Sequence, residues 1–177
     1  MKKALKVTII AVIILLTVIV IALTIYSSGS YNPLDEMDLE VNNLEMTGIE
    51  RHEDFDEITF TVSNPQKKIV FIPGGLVKPQ SYEYLAVRLA QNNYEVTIAK
   101  NLFNLAILTP NYPTKFLSEE LENVLIGHSL GGTVASMVSS ENVLVSELVL
   151  LGSYPITDVT ANDVLVITAE YDLIMNR

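Results

Sequence analysis

The sequence predicts an α/β fold, a mainly parallel sheet with helices on both faces, preceded by one transmembrane helix. Three observations carry this. Val7 to Tyr26 contains no charged side chain, and at about 1.5 Å rise per residue it spans roughly 30 Å, the thickness of a bilayer core. Beyond it, short apolar runs alternate with segments of helical period, the pattern of strands joined by crossover helices. The apolar runs are nearly continuous rather than alternating, as in strands covered on both faces.

The anchor comes first in the chain. Lys2, Lys3 and Lys6 precede the apolar run, and Asp35, Glu36, Asp38 and Glu40 follow it. The positive-inside rule then keeps the N-terminus in the cytoplasm and sends the rest across a cell membrane as a single-pass protein. A cleaved signal peptide is the rival. Its apolar core usually runs about 7–15 residues and ends at small residues, and Leu23-Thr24-Ile25-Tyr26 fits that poorly. A buried core helix would be apolar on one stripe rather than all round. The expected organisation is a cytoplasmic tip and anchor over residues 1–26, an acidic linker over 27–56 beginning with a flexible tether (SSGSYN), and an α/β domain over 57–177.

Charge narrows the partners. The chain of 177 residues carries 11 basic and 21 acidic groups, and no Cys. Without Lys2, Lys3 and Lys6, the remainder holds 8 basic against 21 acidic groups, a net −13. Such a surface repels nucleic acid, which excludes it as a partner. The lack of Cys excludes disulfides, thiolate zinc sites and a Cys nucleophile. Two His are too few for a His-rich metal site. The acidic run from Asp35 to Glu57 reads as a solvated face, and it lacks the fixed spacing of a calcium loop.

The elements follow in order. Glu57 to Val62 alternates polar and apolar, as a half-buried strand does. Asn64-Pro65 marks a turn. Lys68 to Ile72 is a buried strand ended by Pro73-Gly74-Gly75. Pro79 to Gln91 is a helix with Pro in its first turn and Tyr82, Leu85 and Leu89 on one side. Tyr94 to Ala99 is a strand, Lys100 to Pro113 an irregular connection, and Thr114 to Glu122 a short helix. Asn123 to Gly127 is a strand, Leu130 to Ser140 a helix, and Ser146 to Gly152 and Val164 to Ala169 are strands.

In such sheets the chemistry lies beyond the carboxyl ends of the strands. After the strand ending at Ile126 stands Gly127-His128-Ser129-Leu130-Gly131, which fits G-x-S-x-G, the nucleophile elbow. A serine on so tight a strand-to-helix turn has strained backbone angles, and its neighbours two residues either side must be small. The turn presents Oγ at a helix N-terminus, where developing negative charge is favoured. Any glycine-rich turn could look like this, but the apolar strand before it and the small-residue helix after it raise the specificity.

With the elbow in place, the sequence resembles the α/β-hydrolase superfamily, in particular its small dienelactone-hydrolase-like branch. The resemblance covers roughly Lys67 to Leu173 through KIVFIPGG, YEVTIA, GHSLGG, ELVLLGSYP and VLVITAEYD. Dienelactone hydrolases use Cys at the elbow. Ser129 therefore implies hydrolysis of an ester or related acyl bond rather than that particular substrate. The resemblance implies Ser129 as nucleophile, and an oxyanion hole from the N–H of Leu130 and that of Gly75 or Leu76. It implies Asp172, just after the last strand, as the acid, with Glu170 a near competitor. Asp158 and Asp163 precede that strand and belong at the wrong end of the sheet. No metal or organic cofactor is implied. The partners expected are a small-molecule ester or acyl substrate and a membrane, held through the N-terminal helix.

The base is the difficulty. Triad order in this fold places His after the acid, and no His follows Asp172. His128 should point away from Ser129 beneath the turn, and His52 should lie at the surface. The reading is therefore of a domain incomplete at its C-terminus, lacking a last strand and helix, and inactive as it stands. A catalytically silent, membrane-tethered binding or scaffold domain is the alternative. The loop LFNLAILTPNYP, with Phe103, Leu105, Ile107 and Leu108, could line an acyl pocket or pack beneath the short helix.

Overall fold

Strands β3 (Lys68–Ile72) and β5 (Asn123–His128) are buried along nearly their whole length, and the computed structural model places them side by side, in parallel, at the centre of the sheet. It describes residues 2–169. The chain divides into two compact units, Met1–Ser30 and Tyr31–Arg177.

The first unit is helix α1 (Lys2–Ser28), 27 residues long. The Thr8, Thr17 and Thr24 hydroxyls donate to the carbonyls of Ala4, Ile13 and Val20, so the few polar side chains of the run are satisfied within the helix. By length and composition this helix can cross a membrane, a test that a signal sequence also passes.

The second unit is built on a seven-stranded sheet. The remaining strands are β1 (Ile49–Glu53), β2 (Glu57–Val62), β4 (Glu95–Ala99), β6 (Val145–Leu151) and β7 (Asp163–Ile167), in spatial order β1-β2-β4-β3-β5-β6-β7. From β4 to β7 every pairing is parallel, while β1–β2 and β2–β4 are antiparallel. The alternation of side chains along a strand feeds two cores. Val70 and Ile72 face helix α4 (Leu130–Glu141) with Leu125, Leu148 and Val134. Ile69 and Phe71 face helix α3 (Glu83–Ala90) with Val96, Ile98 and Val87. Burying a side chain of this size is worth about 1.5–3 kcal/mol, so the two clusters hold the sheet between its helix layers.

Two sequence expectations change. Residues 27–56, read as an acidic linker, contain helix α2 (Asp35–Asn43) and strand β1. The four residues of β1 after Ile49 are exposed, so the strand offers no apolar period and joins the sheet through its backbone, in register Arg51↔Phe60. The helix expected over 114–122 is a 3₁₀ turn at Tyr112–Phe116 followed by irregular chain. There Ser118 Oγ accepts the N–H groups of Glu120 and Leu121, and the fully buried Asn123 amide binds the Ser118, Leu121 and Leu144 carbonyls. These side chains compete with the helical backbone ladder and win. Among the described residues β7 and β1 are the two edge strands, and β7 leaves Val164, Leu165 and Ile167 exposed.

Candidate active site

The carboxyl end of β5 delivers the chain into a turn so tight that the residues two either side of Ser129 must be glycine. Ser129 has φ +50° and ψ −119°, outside the regions open to an unstrained L-residue. Its N–H donates to the Leu151 carbonyl at 2.9 Å, and its carbonyl accepts the Gly132 N–H at 2.9 Å. The turn is therefore locked to β6 on one side and to the first turn of α4 on the other. The close approach sets the glycine pattern. A Cβ on Gly127 would fall 2.5 Å from Gly132 Cα, and one on Gly131 would fall 2.2 Å from the Ile72 carbonyl oxygen. Ser129 itself is exposed at the N-terminus of α4.

The loop after β3 lies against this turn. A Cβ on Gly75 would meet Leu130 Cδ2 at 2.9 Å and Leu105 Cδ2 at 3.7 Å, so Gly75 and Leu130, two of the oxyanion candidates, are neighbours. Leu76 has φ +55°, and its N–H donates to the Asn104 carbonyl at 2.8 Å. Of the two N–H groups considered in this loop, that of Leu76 is thus engaged, which favours Gly75. Asp172 and Glu170 lie outside the described residues. Asp163 opens β7 at the end of the parallel sheet opposite Ser129, and Asp158 lies exposed in the loop before it.

The two histidines have other partners. His52 Nε2 lies 2.9 Å from Asp54 on the exposed strand β1. His128 Nδ1 lies 2.9 Å from the Tyr82 hydroxyl, which also accepts the Gly74 N–H at 2.9 Å. Burial pushes the Tyr82 phenol up to about 12, against the opposing pull of the Gly74 N–H, so it stays neutral and ties the elbow to the glycine loop. Sequence reasoning missed Tyr82 because its helical position marks it only as a core aromatic; the ring does pack on Phe71 at 4.5 Å between centroids. In the loop after β4, Phe103 lines a cavity, Ala106 is buried in the core, and Ile107 and Leu108 are exposed.

A seven-stranded, mainly parallel sheet with strand order β1-β2-β4-β3-β5-β6-β7 and a strained serine turn after its central strand defines an α/β protein of the nucleophile-elbow class. The sequence of residues 68–177 matches the Alpha/beta hydrolase family. The chain belongs to that family. No curated protein matches it in sequence. Among solved structures it is similar to the Francisella virulence factor BioJ, at 18% identity with a TM-score of 0.51, over 66% of this chain and 48% of that one. It is also similar to a soluble variant of Saccharomyces cerevisiae monoglyceride lipase, at 16% identity with a TM-score of 0.45, over 59% of this chain and 43% of that one. A laboratory-evolved variant of a potato epoxide hydrolase matches at 16% identity with a TM-score of 0.46, over 60% of this chain and 40% of that one. The chain spans less than half the length of each of these structures.

Proposed function

We propose that the chain is a membrane-anchored serine hydrolase of ester or related acyl bonds, in the dienelactone-hydrolase-like branch but with Ser in place of Cys. The single observation that carries this is the Ser129 turn, with its positive φ at the carboxyl end of β5 and the N-terminus of α4. Ser129 Oγ attacks the carbonyl carbon once a base takes its proton, a role assigned to neither His52, which faces Asp54, nor His128, which faces Tyr82, so turnover requires a base beyond these two histidines. The oxygen of the tetrahedral intermediate gathers negative charge and is met by the N–H groups of Leu130 and Gly75. The intermediate collapses with loss of the alcohol, and water then releases the acyl group. Asp172 is the candidate acid. Residues 1–26 hold the protein in the membrane, and the unit that begins at Tyr31 carries the reaction.

The alternative, a catalytically silent tethered binding domain, is favoured by one observation: His52 faces Asp54 and His128 faces Tyr82. The test is a fluorophosphonate probe on the native protein in its own membrane, with the adduct mapped by mass spectrometry. The hydrolase reading expects the adduct on Ser129, and turnover of a short p-nitrophenyl ester that Ser129→Ala lowers on the order of 10⁶-fold, as loss of the nucleophile does in a serine protease. No labelling of Ser129 and no turnover above background in the wild type would leave the silent domain as the reading, and equal turnover in wild type and Ser129→Ala would refute Ser129 as the nucleophile.

A further inference from the structure

The loop after β3, which offers Gly75 to the oxyanion, is fastened from outside by the first residue of the second unit. Tyr31 forms an isolated parallel bridge with Val77. Its N–H donates to the Leu76 carbonyl at 2.7 Å, and its carbonyl accepts the Lys78 N–H at 3.0 Å. The Tyr31 residue is 72% exposed, so burial of its ring does not hold it in place. The two backbone bonds do. Both end in the loop after β3 and at no strand of the sheet, so what they fix is that loop.

The backbone of the loop shows why it needs fastening. The Val77 N–H donates to the Gly74 carbonyl at 3.2 Å and closes a turn with Gly75 and Leu76 at its centre. Leu76 has φ +55° at the third position of that turn, where a positive φ is normally left to Gly or Asn. A leucine stays in such a conformation only where its surroundings over-determine it. Asn104, from the loop after β4, holds the Leu76 N–H at 2.8 Å, and Tyr31 holds the Leu76 carbonyl. The peptide groups on both sides of Leu76 are thereby pinned. Without the Tyr31 bonds one of them is released, Leu76 relaxes toward negative φ, and the turn that aims the Gly75 N–H opens. Gly75 lies against Leu130, the other oxyanion candidate, so that opening moves one donor relative to its partner.

We infer that Tyr31 is a positioning residue, whose backbone clamps Leu76 and Lys78 and so holds the Gly75 N–H in place for the oxyanion of the Ser129 reaction. The inference rests on the hydrolase reading, and it turns a segment expected as a flexible tether into part of the site's support. The experiment deletes each clamp bond in the full chain in detergent micelles. Lys78 has φ −66° and ψ 139° and precedes Pro79, so Lys78→Pro fits its backbone while removing the N–H. Tyr31→Pro removes the other donor. Leu34→Pro, at an exposed residue with φ −71°, puts a proline in the same segment and touches neither bond. Urea unfolding followed by circular dichroism checks that each variant folds.

Hydrogen exchange reads the clamp directly. The Tyr31, Leu76 and Lys78 amides are expected to be protected in the wild type. The Leu76 amide is expected to exchange faster in both clamp variants, to stay protected in Leu34→Pro, and to regain protection in Tyr31→Ala and Lys78→Ala, which restore the N–H. Turnover of a short p-nitrophenyl ester is expected to show kcat lowered about tenfold or more in both clamp variants and KM within about twofold, since a misaimed donor weakens the transition state rather than substrate binding. Fluorophosphonate labelling of Ser129 is expected to slow in parallel, and Leu34→Pro to match the wild type. Unprotected Tyr31 and Lys78 amides in the wild type overturn the proposal whatever the variants do. So does a raised KM at unchanged kcat. A wild type whose Ser129 takes up no probe and that turns over no ester overturns the hydrolase reading and the proposal with it. Wild-type turnover that both folded clamp variants retain overturns the proposal alone.

Discussion

A single methyl group at Gly131 tests how the elbow is built. Alanine would place its Cβ 2.2 Å from the Ile72 carbonyl oxygen, 2.4 Å from that of Pro73 and 2.8 Å from the Ile72 carbonyl carbon. All three atoms are backbone, at the end of the central strand β3, which is paired on both sides by β4 and β5. No side chain can swing away to relieve the contact. Overpacking costs about 1–3 kcal/mol, and rigid backbone neighbours put this site at the upper end. Helix propensity opposes it, since Ala is better than Gly by about 1 kcal/mol inside a helix. The net expectation is a loss of about 2 kcal/mol, hence a fall in Tm of about 4–8 °C for a domain of this size. The assay is thermal and urea unfolding of the full chain in detergent micelles, followed by circular dichroism. The same displacement moves Pro73 to Gly75, so fluorophosphonate labelling of Ser129 should slow as well. The sign is decisive: a Gly131→Ala protein as stable as wild type, or more so, would mean that propensity alone governs the position and that α4 does not approach β3 as described.

Two further outcomes follow from polar contacts. Tyr82→Phe removes the acceptor of the buried Gly74 N–H and the contact to His128 Nδ1; urea unfolding should show a loss of about 1–3 kcal/mol, and an unchanged midpoint would refute the bridge. Lys100, and secondarily Arg51, pull the Glu53 carboxyl from 4.5 down to about 2. Its contribution to stability is therefore complete above the unfolded-state value and is lost as pH falls through that window toward 2, where the unfolded chain takes up the proton first. Glu53→Gln should flatten the decline of the urea midpoint between those limits, and an identical decline in both proteins would refute the link.

What the sequence made legible was written in side-chain sterics and local apolar runs. β3 and β5 each carry a short unbroken apolar run, Ile69 to Ile72 and Val124 to Ile126, and the structure buries both strands from Lys68 to Ile72 and from Asn123 to Gly127. The elbow was legible for a related reason: its glycines mark points where backbone meets backbone, and Gly127 and Gly131 are such points. Strand β1 was not legible, because Ile-Glu-Arg-His-Glu buries almost nothing and is held by backbone pairing and by Arg51. That guanidinium forms a two-pronged bond to Glu83 at 2.8 and 2.7 Å. A partner so distant in sequence leaves no trace in any local window. The candidate site divides along the same line. Its serine half is encoded within five consecutive residues. Its candidate oxyanion donors, the N–H groups of Gly75 and Leu76, are told apart by the Asn104 carbonyl, which holds Leu76 from another loop. A motif can specify the strain at one residue because that strain is local. It cannot specify which backbone donor remains available, because that is settled only when two loops after different strands meet.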